Sequence, residues 1–178
     1  MKTVTLKDKT FSLSIPAAEI ELAVDKLALK LNQDLAGKKP LFLVILNGSF
    51  MFASDLIKKL EMNCEVSFVK LASYSGTSST GELKQLIGLN EEIEGREVVI
   101  LEDIVDTGIT LDNMLAQLQN LKPAAVKIVT FLFKPAAFKK SYPLDYIGIS
   151  IPNDFIVGYG LDYDGLGRNL PDIYKILA

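Results

Sequence analysis

Residues 98–111 read VVILEDIVDTGITL, and this stretch decides how the rest of the chain is organised. Residues 97–101 read as a strand covered on both faces, from the continuous hydrophobicity of 98–101. Two carboxylates, Glu102 and Asp103, stand where that run ends. Asp106, Thr107, Gly108 and Thr110 then form a turn, and Leu111, Met114, Leu115, Leu118 and Leu121 recur at helical spacing. Working outward, 41–46 (LFLVIL), 65–71 (EVSFVKL), 126–133 (VKIVTFLF) and 146–149 read as further strands. Pro16 opens a helix marked by Ile20, Val24, Leu27, Leu31 and Leu35. A shorter helix carries Ala53, Leu56, Ile57 and Leu60. Strands alternating with amphipathic helices predict an α/β fold, a central parallel sheet flanked by helices. Residues 152–178, rich in Gly, Asp and Tyr, predict a loop-heavy cap. In such folds ligands sit beyond the C-terminal ends of the strands.

That places the functional weight on 102–110. Gly108 lets backbone approach a ligand, and the free amides at a helix start bind phosphate. The hydroxyls of Thr107 and Thr110 add hydrogen bonds. Glu102 and Asp103 suit vicinal hydroxyls or a hydrated Mg²⁺ shared with substrate oxygens. A Thr-Gly turn alone would only start a helix. Three carboxylates within five residues repel one another unless a ligand or cation compensates them, so their clustering points to a site for a phosphorylated ribose.

Other chemistries drop out. The chain has no histidine, which removes Ser–His–Asp and Cys–His catalysis and His-containing zinc sites. No G-x-x-x-x-G-K-[ST] occurs, and the G-x-G triplets at Gly158/Gly160 and Gly165/Gly167 do not join a strand to a helix. Asp162-Tyr163-Asp164-Gly165 hints at a calcium loop, but aligning Gly165 with that loop's glycine puts Gly160 at the first ligand position and Pro171 at the last. A net charge of −3 argues against general electrostatic binding of nucleic acid. No apolar run approaches the roughly 18 residues of a membrane helix, and residues 1–10 lack a secretory core. Cys64, the single cysteine, excludes a disulfide framework, fits the cytoplasm and reads as a small hydrophobe rather than a nucleophile. The 178 residues suit one domain, 1–178, with a hood from about 151 joined by part of the N-terminus.

The 98–111 stretch resembles the phosphoribosyl pyrophosphate (PRPP) motif of type I phosphoribosyltransferases, in their hypoxanthine–guanine branch. The likeness extends from about residue 41 to the C-terminus through motifs in family order. Leu46-Asn47-Gly48-Ser49 resembles the pyrophosphate loop, and Ser73-Tyr74 the start of the mobile catalytic loop (73–81, SYSGTSSTG). Phe133-Lys134-Pro135 resembles the segment with the base-reading lysine, and 151–172 the hood over the purine.

The resemblance implies transfer of phosphoribosyl from PRPP to a 6-oxopurine, hypoxanthine and also guanine, with release of pyrophosphate and with Mg²⁺ as cofactor. It implies that Glu102 and Asp103 bind the ribose hydroxyls directly or through Mg²⁺. Asp106, Thr107, Gly108, Ile109 and Thr110 would cradle the 5′-phosphate, and Asp106 would accept the proton of purine N7. Asn47, Gly48, Ser49 and Arg168 would face pyrophosphate. Lys134, Phe155 and Ile156 would meet the purine, and Asp162 would lie beside it and hold a second Mg²⁺. Lys134 is donor-only and would favour a carbonyl at position 6. A homodimer or homotetramer is implied as well. Two departures stand out. Asn47 occupies a place often basic in relatives, where the preceding peptide is often cis, and Gly165-Leu166-Gly167 replaces bulkier residues before Arg168. The alternatives are a PRPP-sensing regulator that binds nucleic acid, or a xanthine-preferring or orotate-type transferase.

Overall fold

The computed structural model describes the backbone of residues 2–73, 83–87 and 91–177. Its main sheet contains β3 (Leu41–Leu46), β4 (Glu65–Ser73), β5 (Leu83–Ile87), β6 (Glu97–Val105), β7 (Ala125–Phe133) and β8 (Tyr146–Ser150). They lie in the order β5-β4-β3-β6-β7-β8, with β5 antiparallel to β4 and every other pairing parallel. The helices are α1 (Ala17–Asp34), α2 (Phe50–Ile57) and α3 (Ile109–Asn120). Pro16 caps α1 in extended conformation, as its fixed φ favours.

Strand alternation sends successive side chains to opposite faces. Phe42, Val44, Val99 and Leu101 pack with Ile20, Val24, Leu27 and Leu31 of α1 and with Phe52 and Leu56 of α2. Leu41, Leu43, Val98 and Ile100 pack on the other face with Leu111, Met114 and Leu118 of α3. The two layers account for the unbroken apolar runs of β3 and β6.

The hood is a second sheet, order β1-β2-β10-β9, all antiparallel: β1 (Thr3–Leu6), β2 (Lys9–Ile15), β9 (Ile156–Val157) and β10 (Ile173–Ile176). The region expected to be loop-heavy therefore carries two strands, because the N-terminal hairpin supplies their partners. β5 was likewise not anticipated. β6 also runs four residues beyond the expected 97–101, since β7 keeps pairing with it (Glu102↔Thr130, Ile104↔Leu132, Val105↔Phe133). Glu102 and Asp103 thus lie within the strand rather than after it.

Candidate active site

Being consecutive in β6, Glu102 and Asp103 point to opposite faces of the sheet. Glu102 continues the Val98–Ile100 side toward α3, whereas Asp103 continues the Val99–Leu101 side toward α2 and the hood. Glu102 is 6% exposed, and its Oε2 has no hydrogen-bond partner among the described residues. Burial, with Asp103 and Asp106 nearby, holds its carboxyl well above the ordinary range. Burial also lifts Asp103, to about 6, against the opposing pull of the Ile104 amide and the Arg168 guanidinium.

Asp103 is fixed from several sides. Its amide donates to Ser49 Oγ at 2.9 Å, and its Oδ1 accepts from the Ile104 amide at 2.8 Å. Ser49 is fully buried at the head of α2, and its carbonyl accepts the Ala53 amide. The Leu46–Asn47 peptide is cis, and the Asn47 side chain is exposed. Gly48 lies so close to Asp103 that a Cβ there would meet Oδ2 at 1.5 Å. Gly160, at φ +98°, lies on the other side: its Cβ would meet the Gly48 carbonyl oxygen at 2.0 Å. Loop, carboxylate and hood thus interlock with no room for a side chain.

The turn after β6 leaves Asp106, Thr107 and Ile109 exposed, with Gly108 buried and Thr110 half-buried. Asp106 Oδ1 accepts a short hydrogen bond from the Thr107 amide. Gly108 caps α3 in the left-handed region (φ +80°), leaving the first helical amides available for an anion. The segment between β7 and β8 covers it: a Cβ on Gly108 would lie 2.9 Å from the Phe138 ring and from the Tyr142 hydroxyl.

The Lys134 amide donates to the Val105 carbonyl at 2.9 Å, which seats it beside the start of the Asp106 turn. Phe155 is 46% exposed, with its ring 6.4 Å from Phe11 and edge-on to Tyr163 at 6.0 Å. Ile156 is buried and pairs with Lys175 across β9 and β10. Arg168 donates to the Gly160 carbonyl at 2.7 Å and to Asp162 Oδ1 at 2.6 Å, while Asp162 Oδ2 takes the Gly165 amide. Both Asp162 oxygens are therefore occupied within the hood loop. Ser73 ends β4; Tyr74 and the rest of the expected catalytic loop lie outside the described residues.

The donor set fits a hard cation. Carboxylate oxygens are the ligands Mg²⁺ takes, and the buried Glu102 Oε2 lacks a partner among the described residues. Among the described residues no three acidic side chains converge into a ready metal cluster, so Glu102, Asp103 and Asp162 do not form one cage. Such an ion would complete its shell from water and substrate oxygens. A cavity of about 390 Å³ lies among α1, α2 and the hood and is lined by residues including Glu21, Asp55, Lys58 and Tyr159. It contains none of the sequence-predicted site residues. Cys64 is half-buried against the core, with its thiol pushed up by burial, as suits a packing residue.

Phe138, Lys140, Tyr142 and Gly160 were missed from sequence. Each acts through contacts across 28 or more residues of chain, and no local pattern announces them. Among the described residues no helix is long and apolar enough to cross a membrane.

Comparison with known proteins bears on the fold that carries these residues. The chain is 38% identical over 171 residues to the hypoxanthine phosphoribosyltransferase of Escherichia coli, covering 94% of this chain and 96% of that protein. It is 40% identical over 156 residues to the bifunctional protein TilS/HprT of Listeria innocua, covering 87% of this chain; it spans about a quarter (24%) of that relative's length. A crystal structure of a hypoxanthine phosphoribosyltransferase from Staphylococcus aureus superposes with a TM-score of 0.87 at 40% identity, over 93% of this chain and 91% of the other. The phosphoribosyl transferase domain model matches residues 15–164. With that match spanning both sides of the Glu102–Thr110 site, the chain belongs to the phosphoribosyl transferase domain family.

Proposed function

We propose that this protein is a purine salvage enzyme that transfers phosphoribosyl from PRPP to a 6-oxopurine, hypoxanthine and also guanine. A purine ring nitrogen forms a bond to C1 of the ribose as the bond from C1 to pyrophosphate breaks, and the purine's proton passes to a base. The observation that carries the reading is the Glu102–Thr110 segment: two carboxylates sent to opposite faces of a strand, followed by a glycine-capped helix start.

In this reading the α3 amides with Thr107 and Thr110 hold the 5′-phosphate, and Glu102 and Asp103 hold the ribose hydroxyls. Glu102 and Asp103 would each offer a carboxylate to Mg²⁺ alongside substrate oxygens, with Asp162 as the support for a second ion, and the metal would supply neutralisation of charge on pyrophosphate. Asp106, exposed in the turn, takes the purine proton. Lys134 donates to the 6-carbonyl, Phe155 stacks on the ring and the Ile156 backbone meets its edge. The Gly48–Ser49 backbone and Arg168 receive pyrophosphate. Residues 1–178 work as one unit, in the cytoplasm and as a dimer or tetramer, without nucleic acid; sedimentation of the purified protein tests the assembly.

Incubation with PRPP, Mg²⁺ and each of hypoxanthine, guanine, xanthine, adenine and orotate, with chromatography of the products, tests the activity. Inosine and guanosine monophosphates with stoichiometric pyrophosphate are the expected products. A panel that yields no nucleotide overturns the reading.

A further inference from the structure

The glycine-capped turn is clasped from outside by the segment between β7 and β8. The Tyr142 hydroxyl donates to the Gly108 carbonyl at 3.0 Å, and the same carbonyl accepts the Asp112 amide. The Lys140 stem runs against Gly108, its Cγ 3.0 Å from where a Cβ would stand. Its ammonium group pairs with the Asp112 carboxylate in the first turn of α3. Phe138 braces the clasp, edge-on to Phe133 and to Tyr142 with ring centres 5.4 and 5.7 Å away.

The charges here present a problem. An acid in a helix's first turn stabilises the helix, but the same placement repels an anion bound to the helix amides. Residues 106–110 carry one acid and no cation. A phosphate monoester brings a further charge of about −1.5 to −2. Lys140 is the cation whose ion pair lies at this turn, and with side-chain exposures of 28% and 40% the pair is only partly screened.

We propose that Lys140 is a positioning residue for the phosphate turn: it neutralises Asp112 and, with Tyr142, holds the Gly108 peptide so that the α3 amides accept a dianion. This rests on the reading that the turn holds a ribose 5′-phosphate. Lys140 acts through Asp112 and Gly108, without touching the reacting atoms.

The test compares wild type with Lys140→Gln, Asp112→Asn and the double variant, measuring the Kd for inosine 5′-monophosphate by calorimetry and the KM values for PRPP and hypoxanthine. Lys140→Gln should weaken the nucleotide and raise the PRPP KM by about three- to tenfold, as loss of one nearby partly screened charge would. The hypoxanthine KM and kcat should stay within about twofold, since hypoxanthine carries no phosphate. Adding Asp112→Asn should restore nucleotide affinity, and Asp112→Asn alone should bind at least as tightly as wild type. Equal losses for PRPP and hypoxanthine, or no rescue in the double variant, overturn the proposal in favour of a purely structural clasp. If Lys140→Gln does not fold, weaker nucleotide binding by Asp112→Asn alone overturns it. A wild-type protein that binds no nucleotide and makes none removes the underlying function instead, a result distinct from both.

Discussion

Asp106 and Asp103 sit three residues apart and face opposite demands. Asp106 is exposed at the turn and is the proposed acceptor of the purine proton. Replacing Asp106 with Asn should lower kcat by roughly 10²–10⁴, the usual worth of a positioned base, while thermal stability hardly changes. Steady-state kinetics beside a melting curve would separate the two effects, and undiminished turnover would remove Asp106 from the chemistry. Asp103 is held by burial at about 6, against 3.8 in an unfolded chain. Between those values the folded protein keeps a proton that the unfolded chain has shed, so this group's contribution to stability falls as pH rises through that window. Asp103→Asn should therefore leave the ligand-free protein unchanged near pH 4 and stabilise it by on the order of 1–3 kcal/mol near pH 8. Denaturant titrations at both pH values check this, and a variant weaker than wild type at pH 8 contradicts it.

At the scale of elements, the site depends on how closely the 47–49 loop, β6 and the hood approach. Gly160 needs its left-handed φ and has backbone where a side chain would go. Gly160→Ala should cost about 2–4 kcal/mol and reduce turnover, because the displaced loop carries the Ser49 contact to Asp103 with it. Gly165→Ala is the control: its φ of +84° is similar, yet among the described residues nothing lies within 4 Å of where its Cβ would stand. It should cost only about 1–2 kcal/mol, with turnover retained. Melting temperatures and kinetics of the pair decide the matter.

Much of this architecture was legible beforehand where one segment carries its own signal. The run of β3 and the Glu102-to-Leu111 stretch are examples, because burial on both faces and a strand-turn-helix junction leave local marks. The hood hairpin was not read, although 3–6 and 10–15 alternate polar and apolar residues, since two short strands gain meaning only from β10, over 150 residues away from β2. The length of β6 was misjudged because Glu102 and Asp103 look like a strand's end, while pairing with β7 carries the strand past them. Gly160, Lys140 and Tyr142 left no mark at all; their work is done by contact with segments distant in sequence.

Across the whole molecule, Asp172 ties the hood to the helical layer. It is 6% exposed and accepts hydrogen bonds from Lys2 Nζ at 2.6 Å, the Ala17 amide at 2.8 Å and the Tyr174 hydroxyl at 3.1 Å. These partners, Lys2 first, hold its carboxyl below the ordinary range. Its contribution is therefore present above pH about 4 and is lost as pH falls through the depressed value, opposite in sign to Asp103. Asp172→Ala should destabilise the protein by about 2–3 kcal/mol at neutral pH and by less near pH 3, as measured by denaturant unfolding. Equal losses at both pH values would assign the effect to packing rather than charge.

The buried oxygen of Glu102, without a donor among the described residues, bears on the balance of the entire chain. A nucleotide that binds the folded protein and not the unfolded one would raise the melting temperature with its concentration, so that a thermal scan would double as a gauge of occupancy.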